Sequence, residues 1–129
     1  MKNHRDIVHS LCEALLDGRN DVAQRMIYSN DIANEVDADG YTLLFYATVG
    51  GNCDGIRMLI DAGADCDKLS SNGDAPLHSA IIMQNVETIR CLLECGASPN
   101  VSNADGVPAE EYAQSNHIRS LISDFRTRQ

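Results

Sequence analysis

Apolar and polar positions along the chain repeat with a fixed long period. Gly40, Gly73 and Gly106 lie 33 residues apart. The segments 40–67 and 73–100 are identical at nine of 28 positions when they are aligned without a gap. Because a single register aligns both segments, the pattern indicates repeated structural units rather than one irregular core.

Each unit is predicted to form a tight turn followed by two short helices. Asp39-Gly40 and Asn72-Gly73 are turn dipeptides, because glycine accepts the positive φ that a hairpin tip requires. Thr42 is placed to cap a first helix, and Pro76 is placed in the first turn of its counterpart. An amphipathic pattern then predicts a second helix, which Gly63 ends as a left-handed cap.

These units resemble the ankyrin repeat, whose motif runs D-x-x-G-x-T-P-L-H-x-A and closes with G-A-D-x-N. The second unit is similar to it over 37–47 and 63–67, and the third over 73–80 and 96–100. The resemblance implies an all-α fold, an ankyrin-repeat solenoid of stacked helix-turn-helix units with short hairpin arms. It covers essentially the whole chain, so we expect a single domain over 1–129.

We expect four units: an N-terminal capping repeat at about 1–36, repeats at 37–69 and 70–102, and a C-terminal capping repeat at 103–129. The terminal units match the motif less well, and the last is expected to have a shorter second helix. An end repeat has one neighbour and must present a polar outer face. Basic residues in these two units are consistent with that capping role: Arg5, Arg19, Arg25, Arg119, Arg126 and Arg128.

The body of the chain is strongly acidic. The net charge is −9, and between Asp31 and Glu111 fourteen acidic residues accompany only three basic ones. Such a body repels phosphate groups, so we expect no nucleic-acid partner and no membrane partner. The charge either serves solubility or steers the chain toward a basic partner, and the sequence leaves both interpretations open.

Two features predict a cytoplasmic protein. No stretch approaches the roughly 20 apolar residues that cross a bilayer, and the first residues lead into no apolar segment of the kind that forms a secretory signal. The five cysteines are an odd number, and we interpret them as reduced thiols rather than as a disulfide framework.

Motifs of catalysis and cofactor binding are missing from the sequence. There is no glycine-rich phosphate loop and no nucleophile elbow, and Cys91 with Cys95 lacks the further ligands that a zinc site needs. The resemblance places His78 at the family's structural histidine, which links neighbouring hairpins by backbone hydrogen bonds. We therefore expect a protein that is not an enzyme and has no cofactor, metal or small-molecule substrate.

The resemblance implies a concave binding face built from hairpin tips and first helices. Carried over to this chain, its partner-binding positions are Asp39, Tyr41, Tyr46, Val49, Asn72, Asp74, Ile82, Met83, Asp105, Val107, Tyr112 and Asn116. We predict that Asp39, Asp74 and Asp105 form a row of carboxylates along the tips. Two alternatives stay open: Ile82 and Met83 pack under the arm of the next unit, and the tyrosines pack between repeats.

The expected function is protein binding in which binding itself is the effect, because no second domain is expected. We predict that the chain binds, and inhibits or sequesters, a basic partner protein, as an immunity protein or inhibitor of a toxin or nuclease does. That step is an analogy from architecture and charge. The alternatives are a scaffold, adaptor or host-directed bacterial effector, and a regulatory or stabilising subunit of an enzyme.

Overall fold

The computed structural model describes residues 3–28 and 30–128. Within these residues the chain is all-α, as predicted, and the elements in chain order are α1 His4–Asp17, α2 Asn20–Met26, α3 Asn30–Ala33, α4 Leu43–Val49, α5 Cys53–Asp61, α6 Pro76–Ile82, α7 Val86–Glu94, a 3-10 helix Ala109–Tyr112, and α8 Asn116–Thr127. The same residues form no β-strand. Isolated antiparallel bridges join Val36 with Thr42 and Ser102 with Pro108 in the hairpin arms.

Capping side chains and turn glycines determine where the helices begin and end. At the start of α4, the Thr42 hydroxyl accepts a hydrogen bond from the Phe45 N–H at 3.0 Å. Pro76 occupies the first turn of α6, where a missing N–H leaves no helical hydrogen bond unmade. Gly63 and Gly96 follow α5 and α7 with φ of 102° and 109°, a backbone conformation that disfavours a side chain.

The helices stack in two layers. The inner layer contains α1, α4, α6 and the 3-10 helix, each in contact with the next, and the outer layer contains α2, α5, α7 and α8. Large side chains from both layers are fully or almost fully buried between them: Leu11, Leu15, Leu43, Ile56, Leu59, Leu77, Ile81, Ile89, Leu92, Ile118 and Ile122. Burying one such side chain stabilises a fold by about 1.5–3 kcal/mol, so each unit depends on its neighbours for stability.

Backbone hydrogen bonds join each hairpin to the next. The Ser71 N–H donates to the Gly40 carbonyl oxygen at 3.0 Å, and the Ala104 N–H donates to the Gly73 carbonyl oxygen at 2.9 Å. Both glycines have a φ of 85°, which orients their carbonyl groups toward the following hairpin. These bonds hold the tips at a constant spacing along the stack.

His78 provides a second link between units. Its side chain is fully buried, and its Nδ1 accepts the Ala75 N–H at 3.3 Å. Nε2 therefore carries the proton and donates to the Val107 carbonyl oxygen at 2.9 Å. The structural role predicted for His78 is confirmed.

The C-terminal unit differs from its prediction. Its second helix, α8, has 12 residues against nine in α5 and in α7, so the expected shorter helix is wrong. The first helix is shortened instead, to the four-residue 3-10 helix. Arg126 of α8 bridges back to the body, since Nε donates to Asn100 Oδ1 at 2.6 Å and Nη2 donates to Glu110 Oε2 at 2.5 Å. The longer α8 and these contacts cover the apolar side of the preceding unit.

Gly50 lies where α4 of the second unit packs closely against the end of α1. A Cβ at this position would lie 2.5 Å from the Leu16 carbonyl oxygen, although the φ of Gly50, −76°, suits any residue. A Gly50→Ala variant must therefore push α1 away from α4. We expect it to lower the free energy of unfolding by about 1–3 kcal/mol, measured by urea denaturation.

Met83 provides the control, because it occupies the same repeat register one unit later and is 44% exposed. Met83→Ala should change the free energy of unfolding by less than about 0.5 kcal/mol. If Gly50→Ala is as stable as the unmodified chain, α1 and α4 do not pack as closely at Gly50 as the structure shows.

Candidate protein-binding surface

The hairpin tips present exposed polar side chains at one repeated position, occupied by Asp39, Asn72 and Asp105. Asp74 does not continue this row, because a 33-residue step from Asp39 leads to Asn72. Asp74 is half-buried two residues further along the hairpin, and its Oδ1 accepts a hydrogen bond from Asn103 Nδ2 at 3.1 Å. The predicted row of three carboxylates is therefore wrong at its centre, where an amide separates two carboxylates.

Asp37 organises the first of these hairpins. Its Oδ1 accepts the N–H groups of Asp39 and Tyr41, each at 2.9 Å, and its Oδ2 accepts the Tyr46 hydroxyl. Burial acts to raise the pKa of Asp37, but the hydrogen bonds from Tyr46 and from the backbone outweigh burial and hold this pKa below its ordinary value of 3.8. Burial and the bond to Asp37 also raise the pKa of Tyr46, so this pair stays a neutral donor bound to a carboxylate.

Tyr112 is held in the same way in the last unit. Asn103 Nδ2 donates to the Tyr112 hydroxyl at 3.1 Å, while Asn103 Oδ1 accepts the N–H groups of Asp105 and Val107 at 3.0 Å. The ring of Tyr112 lies 5.9 Å from that of His78. Tyr112, like Tyr46, is half-buried and ties an inner element to its own hairpin. The contact with His78 favours packing between repeats for Tyr112, whereas the bond of Tyr46 to Asp37 lies within one unit.

An aromatic group lies on the second unit. The ring of Tyr41 is 4.5 Å from that of Phe45, which in turn is 5.3 Å from that of Tyr46. All three side chains are half-buried. Phe45 is not among the predicted site residues, although it takes the motif position that His78 holds in the next unit. The replacement of the motif histidine by an aromatic residue is the sequence signal that could have identified Phe45 as a candidate site residue.

Apolar side chains form a second row at the ends of the inner helices. We call Leu16, Val49, Ile82 and Met83 the inner apolar row. Leu16, Val49 and Ile82 are 33 residues apart, and Leu16, Ile82 and Met83 are 41%, 49% and 44% exposed, while Val49 is half-buried. Because Ile82 and Met83 keep nearly half of their surface exposed, the alternative that they pack under the next arm is wrong. Leu16 was missed because the first unit retains few motif residues.

The row does not extend into the last unit. The register predicts Asn116 at the end of an inner helix, but Asn116 is the first residue of α8 in the outer layer, where its Oδ1 accepts a hydrogen bond from Arg119 Nη1 at 3.2 Å. The 3-10 helix ends early, and the Ser115 hydroxyl caps α8 by accepting the Ile118 N–H. Val107 is half-buried and contributes its carbonyl group to the bond with His78.

The cysteines of the described residues are free thiols. Burial raises the pKa of Cys12 and of Cys91 to about 12, so both stay protonated near neutral pH and lack the thiolate that nucleophilic attack requires. Among the residues that the structure describes, no three His, Cys, Asp or Glu side chains are grouped so as to hold a metal ion. No helix in that part of the chain is long and apolar enough to cross a membrane.

A family model described as ankyrin repeats, in three copies, matches residues 11–103. The chain belongs to the ankyrin-repeat family. The match ends at the last hairpin, before the 3-10 helix and α8, where the structure also departs most from the repeat. Ankyrin repeats generally mediate protein–protein interaction and are typically non-enzymatic.

Several curated proteins contain a similar ankyrin-repeat segment. The BCL-6 corepressor-like protein 1 of Homo sapiens is 34% identical over 74% of this chain, and the BRCA1-associated RING domain protein 1 of Caenorhabditis elegans is 34% identical over 70%. An ankyrin repeat-containing protein of Treponema pallidum is 30% identical over 78%. The aligned segment spans 5%, 13% and 34% of these relatives respectively.

The Tyr46–Asp37 contact predicts a stability that depends on pH. Tyr46→Phe removes one hydrogen bond to a carboxylate, so we expect it to lower the free energy of unfolding by about 1 kcal/mol at pH 7. A depressed carboxyl pKa stabilises the fold above the unfolded value and loses this effect as pH falls through the folded value. The difference between the two proteins should therefore be complete above pH 3.8 and shrink below it, measured by urea denaturation at several pH values.

Tyr28→Phe is the matched control, because Tyr28 is 78% exposed and its hydroxyl should not affect stability. Equal stability of Tyr46→Phe and the unmodified chain at pH 7 would mean that the Tyr46–Asp37 bond does not hold the hairpin.

Proposed function

We propose that this ankyrin-repeat chain binds a basic partner protein with the face formed by its hairpin tips and the inner apolar row. The observation that supports this most is the row itself, in which three large apolar side chains are at least 41% exposed at equivalent positions or beside them. Scattered exposed apolar residues need no explanation, but a row of them on one face is typical of an interaction site.

The inner apolar row and the tips together have the composition of a protein interface. Apolar anchors at the centre of an interface supply most of the binding energy, and a polar rim surrounds them. In this proposal Ile82 and Met83, which have the largest exposed fractions in the row, are the anchors. The exposed carboxylates of Asp39 and Asp105 supply the polar rim. The aromatic group of Tyr41, Phe45 and Tyr46 adds partly exposed rings near the same face.

The charge of the chain supports a basic partner. Fourteen acidic residues and three basic ones between Asp31 and Glu111 leave the body at −11. An acidic body attracts a basic protein before contact and raises the association rate more than the final affinity. Solubility alone does not require that acidic residues be concentrated in the body while basic residues lie in the capping units.

We propose that binding blocks the partner, as an immunity protein or an inhibitor of a toxin or nuclease does. One continuous face is sufficient to occlude a partner's own site, and no further activity is required. Five free thiols support a reducing compartment, and we propose that the chain acts in the cytoplasm. A scaffold is the second candidate, because similar segments form only 5% and 13% of two much longer relatives.

The proposal is tested by finding the partner and its activity. The full chain is used to capture proteins from native lysate, which are identified by mass spectrometry, and the captured protein is then assayed alone and with the chain. Inhibition at a one-to-one ratio supports the proposed function. Recovery of a multi-protein assembly whose activities do not change favours the scaffold.

The inner apolar row predicts a sharp effect of one substitution. Ile82→Asp places a charge within the apolar centre, so we expect the affinity for the captured partner to fall at least about tenfold. Ile82→Met, which stays apolar, should keep the affinity within about threefold. Both are measured by isothermal titration, and an unchanged affinity of Ile82→Asp would move the binding site to another face.

The hairpin tips predict an effect on rate. Replacing Asp39 and Asp105 together by Asn should slow association and weaken its dependence on salt, because steering depends on charge. The dissociation rate should change less. Stopped-flow association at low and high salt measures both effects, and a rate for the unmodified chain that is the same at both salt concentrations would contradict steering.

A further inference from the structure

A cleft of about 620 Å³ opens in the outer layer between α2 and α5. We call it the outer cleft. The lining residues that determine its chemistry are Ile27, Tyr28, Asp54, Arg57, Met58 and Asp61. Tyr28 is 78% exposed on its wall, while Ile27 is buried and Met58 half-buried. An apolar floor beside an exposed phenol ring suits the aliphatic part of a long side chain. None of these residues belongs to the inner apolar row.

The charge inside the outer cleft is not balanced. Arg57 Nη1 lies 3.2 Å from Asp54 Oδ1, so these two charges offset each other. Asp61 is the last residue of α5, and the last turn of this helix carries no basic residue. The carboxylate of Asp61 therefore lies at the negative end of the helix dipole, where a cation is favoured and an anion is not.

The neighbouring cleft between α5 and α7 has the same register but a different character. Its volume is about 350 Å³, and Arg90 and Glu94 take the positions of Arg57 and Asp61. Arg57 also lines this second cleft, where the guanidinium groups of Arg57 and Arg90 are balanced by the carboxylates of Glu87 and Glu94, and its lining contains no aromatic ring. The neighbouring cleft therefore has no net charge to attract a cation, whereas Asp54, Arg57 and Asp61 leave the outer cleft with one net negative charge, although both arise from the same repeat.

We propose that the outer cleft docks an arginine or lysine side chain carried by an extended segment of a partner protein. The aliphatic stem packs against Met58 and Ile27, the cationic head lies over the face of the Tyr28 ring, and its charge pairs with Asp61. Charge complementarity and the exposed ring select this occupant. Because the inner apolar row stays free, the chain is then able to hold two protein segments at once.

Nuclear magnetic resonance of the full chain tests this, with the Met58 methyl group and the Tyr28 ring as reporters. The probe is a blocked peptide of alternating glycine and arginine, and its control has citrulline, a neutral analogue, in place of arginine. We expect saturable shifts at Met58 and Tyr28 with the arginine peptide and none with the citrulline peptide. Asp61→Asn and Tyr28→Ala should each weaken binding about two- to fivefold.

Two control variants separate this site from other acidic surfaces. Glu94→Gln removes the equivalent charge of the neighbouring cleft, and Ile82→Asp alters the inner apolar row; both should leave the shifts and the affinity unchanged. The proposal is overturned if the reporters show no saturable shift, if Asp61→Asn and Tyr28→Ala bind as well as the unmodified chain, or if either control weakens binding equally. If Ile82→Asp loses the captured partner but binds the arginine peptide normally, the two surfaces act independently and the outer cleft is supported.

Discussion

No unit of this chain can cover its own apolar faces, and the fold depends on the contact between neighbouring units. Leu11, Leu43, Leu77 and Ile89 are fully buried only because an adjacent helix lies over each of them. That contact must recur at a constant spacing, which is why the 33-residue register extends over the turns, the caps and the core. The close approach at Gly50, which leaves no room for a side chain, shows how tightly the spacing is held.

The same constraint determines which positions remain for binding. Positions that stack or cap are restricted to small, apolar or hydrogen-bonding residues, whereas the tips and the ends of the inner helices are left free. The Tyr46 hydroxyl donates to the Asp37 carboxylate, and His78 Nε2 donates to the Val107 carbonyl oxygen, so both bonds hold a hairpin against an inner helix. A surface that is already ordered loses little conformational entropy on binding, so a modest number of apolar contacts is enough for affinity. The inner apolar row and the exposed tip carboxylates lie at positions that stacking leaves free and that the fold holds in place.

The register alone predicts much of this structure, because stacking makes the units nearly equivalent. The helix end at Gly63 follows directly from it, because Gly96 lies 33 residues later. The cap at Thr42 follows from its hydroxyl before the first helix, and the link at His78 follows from the resemblance to the ankyrin motif. It fails in the last unit, where α8 begins three residues before the repeated position of Val86 predicts and moves Asn116 into the outer layer. It also fails for Tyr46 and Tyr112, because hydrogen bonds between an inner element and its own hairpin depend on side-chain geometry that periodicity does not contain. Leu16 follows from the register once the first unit is recognised as a full member of the stack.

We propose that a partner protein is bound by the inner apolar row and the hairpin tips. Hydrogen–deuterium exchange of the full chain, with and without the captured partner, tests it most directly because it reports on both layers at once. We expect slower exchange at the tips and at the ends of α4 and α6 when the partner is bound. Slower exchange confined to α5, α7 and α8, with the tips and inner helices unchanged, would contradict it.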